Sequence, residues 1–303
     1  MENLLQELSS RTAALAARGA ESVVRVEGRR ASATGTVWSA DGVVVLAHHS
    51  LEWDEEVEVG LPSGETVPGE VAGRDPSTDL AIVRARTSGL VAPDWAEPDG
   101  LALGQLVLGV SRPGRSARSA LAMLSRVAGE WRAPHGGRID RYLETSLPLA
   151  PGLSGSVVMD VSGRALGIAT AGLARGAAIA VPTPTLRRVV KGLLAHGHVR
   201  RGYLGIATVP VRLSGPAAQA AGGEGALLIT GVEPESPAAR GGLLLGDVLV
   251  SIAGTAVAEY GDLLPVLEEE RIGDTVPVRV LRAGEARDLT VAVGARERRK
   301  GAR

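Results

Sequence analysis

The chain has 303 residues, about two domains at roughly 150 residues each. Its 33 Lys+Arg against 34 Asp+Glu leave a net charge of −1, which argues against nucleic acid or any other polyanion as the main partner. There is no cysteine, so disulfides, thiolate zinc sites and a cysteine nucleophile are excluded.

Residues 1–20 read as an amphipathic segment, with Leu4, Leu5, Leu8 and Leu15 at roughly helical spacing. Glu2 and Glu7 stand where a secretory leader would be basic, and no stretch of 18 apolar residues occurs. The expectation is a soluble, cytoplasmic protein. From 21 to 185, strand-length apolar runs (22–26, 36–38, 43–46, 56–61, 80–83, 106–110, 156–159) alternate with turn residues. Asp41-Gly42, Ser63-Gly64 and Ser162-Gly163 supply hairpin turns. Many short strands without intervening helices predict an antiparallel β-barrel or sandwich. Leu186, Val189, Val190, Leu193 and Leu194 then follow the i, i+3, i+4, i+7, i+8 spacing of a linker helix over 186–200. A second block of strands covers 201–295, and 296–303 is a basic tail.

Pro151-Gly152-Leu153-Ser154-Gly155-Ser156 is the segment richest in chemistry. Gly152 lets backbone N–H groups converge, and Ser154 presents a hydroxyl beside them. The N–H groups of Gly152 and Ser154 would form an oxyanion hole. A serine nucleophile needs a base. Of five histidines, His48 and His49 end the strand-like run 43–47. Adjacent strand residues face opposite sides, so at most one of them can serve. His135 lies in a Pro- and Gly-rich stretch, and His196 and His198 lie at a helix end. No His/carboxylate group has metal-ligand spacing, so no metal is expected. Two carboxylates, Asp75 and Asp79, precede the apolar run 80–83; Asp75 suits a turn with Pro76, and Asp79 suits a half-buried partner.

Together these segments resemble the HtrA/Deg family of trypsin-like serine proteases with a C-terminal PDZ domain. Gly42 to His49 is similar to the family's Gly-Tyr-Val-Val-Thr-Asn-Xaa-His, which puts the catalytic histidine at His49. Asp75 to Val83 matches Asp-Pro-Xaa-Thr-Asp-Leu-Ala-Val, which puts the acid at Asp79. Thr145 to Ser156 is similar to Thr-Asp-Ala-Ala-Ile-Asn-Pro-Gly-Asn-Ser-Gly-Gly, which puts the nucleophile at Ser154. Departures are Ala47-His48, Ser146, Ala150, Leu153 beside the oxyanion loop, and Ser156. Ala33-Thr34-Gly35 stands where the family has Gly-Ser-Gly.

Arg201-Gly202-Tyr203-Leu204-Gly205-Ile206 resembles the family's junction, and Tyr203, Leu204, Gly205 and Ile206 its PDZ carboxylate-binding loop. The resemblance implies a mainly β fold: a chymotrypsin-like double β-barrel followed by a PDZ domain. It implies a serine endopeptidase that needs no cofactor, acts on unfolded polypeptides and binds peptides with hydrophobic C-termini. A competing reading is a non-catalytic peptide-binding scaffold or holdase. Pro148, six residues before Ser154, offers no counter-charge to a basic side chain, so small or medium aliphatic residues suit the first pocket. Residues 204–209 are expected as an exposed edge strand, faced by a helix from Asp262, as N-cap, to Glu270. The family is often found in the cell envelope, the alternative to a cytoplasmic location. The family's homo-oligomer, a trimer, leans on aromatic contacts near the N-terminus; none precedes Trp38 here.

Overall fold

Helix α1 (Glu2–Glu21) opens the chain. Only its last turns are covered: Leu15, Ala16 and Ala20 pack on Val23, Leu108, Val110, Val157 and Met159, while Leu4, Leu5 and Leu8 are exposed. The computed structural model describes residues 2–28, 32–51 and 56–295, so the basic tail 296–303 lies outside the described residues. The chain divides into two units, Met1–Val199 and Arg200–Arg303.

In the first unit, β1 (Val23–Glu27), β2 (Ser32–Ser39), β3 (Val43–Ala47), β4 (Glu56–Gly60), β5 (Thr66–Asp75) and β6 (Leu80–Ala85) form a closed antiparallel barrel in the order β1-β2-β3-β6-β5-β4. Val44 and Leu46 point into its core with Val24, Val26 and Val59. Val43 and Val45 point the other way, into a separate cluster with Leu80 and Ile82. Being buried on both faces, β3 has the continuous apolar run of a central strand rather than an alternating one.

A second ring is built from β7 (Leu106–Ser111), β8 (Arg118–Ala128), β9 (Tyr142–Thr145), β10 (Val157–Asp160), β11 (Arg164–Thr170) and β12 (Ala178–Pro182). Their order is β10-β7-β8-β9-β12-β11, closed by pairing of β10 with β11. Closure leaves neither barrel a free strand edge. Helix α2 (Thr183–His196) buries Leu186, Val189, Val190 and Leu193 against Leu80, Ile82, Ile168 and Ile179. It starts at Thr183, not 186, because Pro184 sits in the first turn, where a missing N–H costs nothing. It stops at Gly197, whose φ of 72° lets its N–H return to the Leu193 carbonyl (2.8 Å).

The second unit is a five-stranded antiparallel path of β13 (Ile206–Arg212), β14 (Gly225–Val232), β15 (Val248–Ile252), β16 (Thr275–Arg282) and β17 (Glu285–Ala292), paired in that order. Its core holds Leu204, Leu227, Ile229, Leu249, Val278, Val280 and Val291. β13 is an edge, with residues 207, 209 and 210 exposed, but it runs over 206–212 rather than the expected 204–209. The helix expected over 262–270 is replaced by 3₁₀ segments at Tyr260–Leu267 and Glu269–Arg271. The N-cap is Glu259, and Asp262 is the third residue of the segment. Its carboxylate accepts from the Ala258 N–H (2.8 Å) and the Glu259 N–H (3.0 Å). Pro265 then falls beyond the first turn, where it removes a bond that an α-helix would need.

Candidate active site and peptide-binding edge

The two histidines are not on a strand. β3 ends at Ala47, and His48–Ser50 forms a single 3₁₀ turn. Tight turning, rather than strand alternation, separates the two rings. His48 donates its backbone N–H to the Asp79 carbonyl (3.0 Å). His49 donates its backbone N–H to Asp79 Oδ1 (2.9 Å) and pairs its ring Nδ1 with Asp79 Oδ2 (2.7 Å). Thr170, the last residue of β11, donates its hydroxyl to the same Oδ2. Asp79 holds this position with a φ of 56°, a left-handed conformation costly to most side chains, so local strain is concentrated where the hydrogen bonds converge.

The carboxylate can only accept, so Nδ1 of His49 carries a hydrogen and Nε2 of the neutral ring keeps a lone pair. The Asp79 side chain is 6% exposed and that of His49 43%. The hydrogen bond to Asp79 raises the His49 pKa above the ordinary histidine value, against the opposing effect of burial. Burial pushes Asp79 upward, but the hydrogen bonds from His49 and Thr170 outweigh it and hold the carboxyl below its usual range. His48 moves the other way: burial lowers its pKa, reinforced by Arg74, and its Nδ1 has no hydrogen-bond partner among the described residues.

Ser154 lies in a chain of turns after β9. Its side chain is nearly buried, and its Oγ accepts from the Ala171 N–H (3.1 Å). That bond uses a lone pair and leaves the hydroxyl proton free. The next residue, Gly172, packs directly on the His49–Asp79 pair: a Cβ there would lie 2.4 Å from Asp79 Oδ2 and 2.7 Å from His49 Nδ1. Ala171-Gly172 therefore bridges Ser154 and the pair. No hydrogen bond joins Ser154 to His49 among the described residues; in empty sites such bonds are often long and tighten with substrate.

The loop before Ser154 is fixed from several sides. Leu153 N–H donates to the Ala150 carbonyl (3.0 Å), and Ser156 closes on Leu153 through its N–H (2.9 Å) and its hydroxyl. Thr34 Oγ1 donates to the Gly152 carbonyl (2.8 Å) and accepts from the Arg112 N–H (3.0 Å). Gly152 has a φ of 82°. The backbone N–H groups of Gly152 and Ser154 have no acceptor among the described residues. The Leu153 side chain is not beside these donors; it is buried in the second barrel's core with Leu147 and Val158. Pro148 is exposed between buried Leu147 and exposed Leu149. Sequence reasoning assigned no part to Thr34, Thr170, Gly172 or Arg112. The signal was faint: polar residues in or next to apolar barrel strands, 118 positions apart in the Thr34–Gly152 case.

In the second unit, Tyr203, Leu204, Gly205 and Ile206 lead into β13. The Leu204 carbonyl accepts from Ala238 (2.8 Å) and the Gly205 carbonyl from Glu233 (2.8 Å). With these carbonyls held, the N–H groups of Leu204 and Gly205 have no acceptor among the described residues. Gly205 has a φ of 81°, and a Cβ on it would sit 2.2 Å from the Ser236 Cβ, so the loop requires glycine. Tyr203 donates its hydroxyl to the Glu233 carboxylate. Ile206 packs on the core containing Leu263 and Val266.

Comparison with known proteins follows this geometry. Residues 33–168 match the model of the trypsin-like peptidase domain, and residues 202–293 match that of the PDZ domain. The chain is similar to a putative serine protease HhoB of Synechocystis sp., 28% identical over 275 residues, covering 86% of this chain and 66% of that protein. It is also similar to a probable periplasmic serine endoprotease, DegP-like, of Halomonas elongata, 30% identical, covering 88% and 57%. The chain thus spans between half and two-thirds of the length of these relatives. Among solved structures, the HtrA-type protease AlgW with tripeptide superposes with a TM-score of 0.74 at 26% identity, covering 96% and 99%. The chain carries a trypsin-like double barrel followed by a PDZ domain, and in both it is similar to HtrA-type proteases.

These comparisons correct one expectation. Matched relatives are named periplasmic, which points to the cell envelope and not to the cytoplasm. The cytoplasmic expectation leaned on the composition of residues 1–20, most of which belong to α1, whose last turns pack on the second barrel. Among the described residues no helix is long and apolar enough to cross a membrane.

Proposed function

We propose that this protein is a serine endopeptidase of unfolded polypeptides, with residues 21–185 as its catalytic domain and 201–295 as a module for C-terminal peptides. Ser154 Oγ attacks the scissile carbonyl, and His49 Nε2 takes its proton. The tetrahedral oxyanion is held by the N–H groups of Gly152 and Ser154. His49 then returns the proton to the leaving amine, and a water repeats the sequence on the acyl-enzyme to release the acid. Asp79 keeps Nδ1 protonated and stabilises the imidazolium. The observation that carries this reading is the buried Asp79 carboxylate on His49 Nδ1, bridged by Ala171-Gly172 to a serine beside two unpaired N–H groups.

The exposed β13 edge supports peptide binding by strand addition, with the terminal carboxylate on the N–H groups at 204–206 and Ile206 against an aliphatic last side chain. The periplasmic naming of relatives supports work in the cell envelope. A fluorophosphonate probe tests the catalytic half. Covalent labelling should map to Ser154 and vanish in His49→Ala; a chain that stays unlabelled while binding unfolded protein is a holdase.

A further inference from the structure

Strand β13 carries a proline, Pro210, on the edge proposed to receive peptide. Which way its backbone faces follows from the hydrogen bonds of β14. Ile229 N–H donates to the Asp247 carbonyl (2.8 Å) and the Ile229 carbonyl accepts from Gly246 (2.9 Å), both on the chain entering β15. Backbone groups alternate between neighbours along a strand, so Leu227 also faces β15, and Leu228 and Ala226 face β13. The register sets Val209 opposite Leu228 and Val211 opposite Ala226. The same phase holds at both ends. Gly205 accepts from Glu233 N–H (2.8 Å), and Leu213 donates to Glu224 (2.6 Å). The bulge beside Ala207 and Thr208 skips Thr230 on β14 and leaves the alternation of β13 unbroken. Residues 205, 207, 209, 211 and 213 therefore turn inward, and Ile206, Thr208, Pro210 and Arg212 turn their backbone to the open edge.

A peptide whose carboxylate rests at 204–206 must run antiparallel to β13. Its last residue meets Ile206, its third from the end meets Thr208, and its fifth from the end meets Pro210. Thr208 offers both an N–H and a carbonyl. Pro210 offers no N–H, and its ring Cδ stands where the donor hydrogen would be, so an approaching carbonyl loses its partner and meets a methylene. We propose that Pro210 ends strand addition, so that this edge reads only the last three or four residues of a C-terminal tail and gains nothing from a longer extended segment. The inference rests on the peptide-binding reading above.

The test uses the full chain carrying Ser154→Ala, so that peptides are not cleaved, and labelled free-acid peptides ending in valine, followed by fluorescence anisotropy. In this background the eight-residue peptide should bind within about twofold of the four-residue one. Adding Pro210→Ala should tighten the eight-residue peptide roughly three- to tenfold, the worth of one net hydrogen bond, and leave the four-residue peptide unchanged. Pro210→Val, a better strand former, should do the same. Affinity that climbs more than fivefold from four to eight residues with Pro210 in place overturns the inference, as does a variant that strengthens both peptides equally. Amidated peptides separate the two claims. If they bind as well as free acids, the carboxylate-site reading itself fails. If the free-acid preference holds while length dependence persists, only the role of Pro210 fails.

Discussion

The two barrels of the first unit share an architecture and divide the chemistry. The first delivers the titratable groups: His49 on a 3₁₀ turn after β3 and Asp79, in a left-handed conformation, just before β6. The second delivers Ser154, with backbone donors unpaired among the described residues, and Thr170 and Gly172, which reach across to the pair. One barrel thus supplies the proton acceptor and its carboxylate, and the other the hydroxyl and its backbone donors, while each braces the other: Thr34 of β2 holds the Gly152 carbonyl, and Thr170 of β11 holds Asp79. A change at the acceptor pair should appear in pH dependence as well as in turnover, and a change at the Ser154 loop in turnover at constant pH.

The sharpest break is on the second barrel. Ser154→Ala should lower casein hydrolysis by about 10⁴-fold or more with the thermal unfolding profile unchanged, since the members of such a unit fail together. Full activity in this variant would remove Ser154 from the reaction. On the first barrel, His49→Ala should cost about as much, whereas His48→Ala should keep most of the activity. Asp79's carboxylate bonds the ring of His49 and not that of His48, whose pKa is lowered by burial and whose Nδ1 has no partner among the described residues. The reverse pattern in the two purified variants would shift the base by one residue.

Smaller effects sharpen the division. Thr34→Val removes the donor on the Gly152 carbonyl, so kcat should fall about tenfold with KM unchanged, and Thr34→Ser should restore it. Loss through KM instead would make Thr34 a substrate contact rather than a positioning residue. The smallest expected change is a shift in pH. Because the Asp79 hydrogen bond raises the His49 pKa, more of the ring is protonated at a given pH and fewer molecules carry a working base. The acid limb of kcat/KM should have its midpoint above the ordinary histidine value of about 6.5, with activity lost as pH falls through it. Asp79→Asn should move that midpoint down in the residual activity; an unchanged midpoint would mean that another group controls the limb.

The same division decides what could be read from sequence. Turn dipeptides and valine-rich runs announced strands, and Leu186, Val189, Val190 and Leu193 announced α2. Residues whose roles lie in short motifs were legible, because the motif carries its own geometry: Gly152 to Ser156, and Asp79 before 80–83. Thr34 and Thr170 were not, since a threonine in a β-strand is ordinary and only the closed barrels bring it to a distant carbonyl or carboxylate. Asp262 before an apolar run looks like the cap of a helix, but in the structure it is the third residue of a 3₁₀ segment, Tyr260–Leu267, and accepts from the Glu259 N–H. The histidine pair was placed on a strand because nothing in Val43 to Ala47 signals the turn that follows.

Arg112 has a consequence for local unfolding. Its buried guanidinium donates to the carbonyls of Ala20 (2.8 Å), Val23 (2.8 Å) and Arg115 (2.9 Å), while its own N–H holds the Thr34 hydroxyl that steadies Gly152. The end of α1 and the loop from Gly152 to Ser154 thus share one residue. When the last turn of α1 lifts from the barrel, the cation loses an acceptor in a buried place and must turn toward water, loosening the backbone that Thr34 leans on. The first turns, with Leu4, Leu5 and Leu8 uncovered, can fray without this effect. Turnover at the proposed site is therefore expected to respond to the docking of α1's end and not to fraying at its beginning.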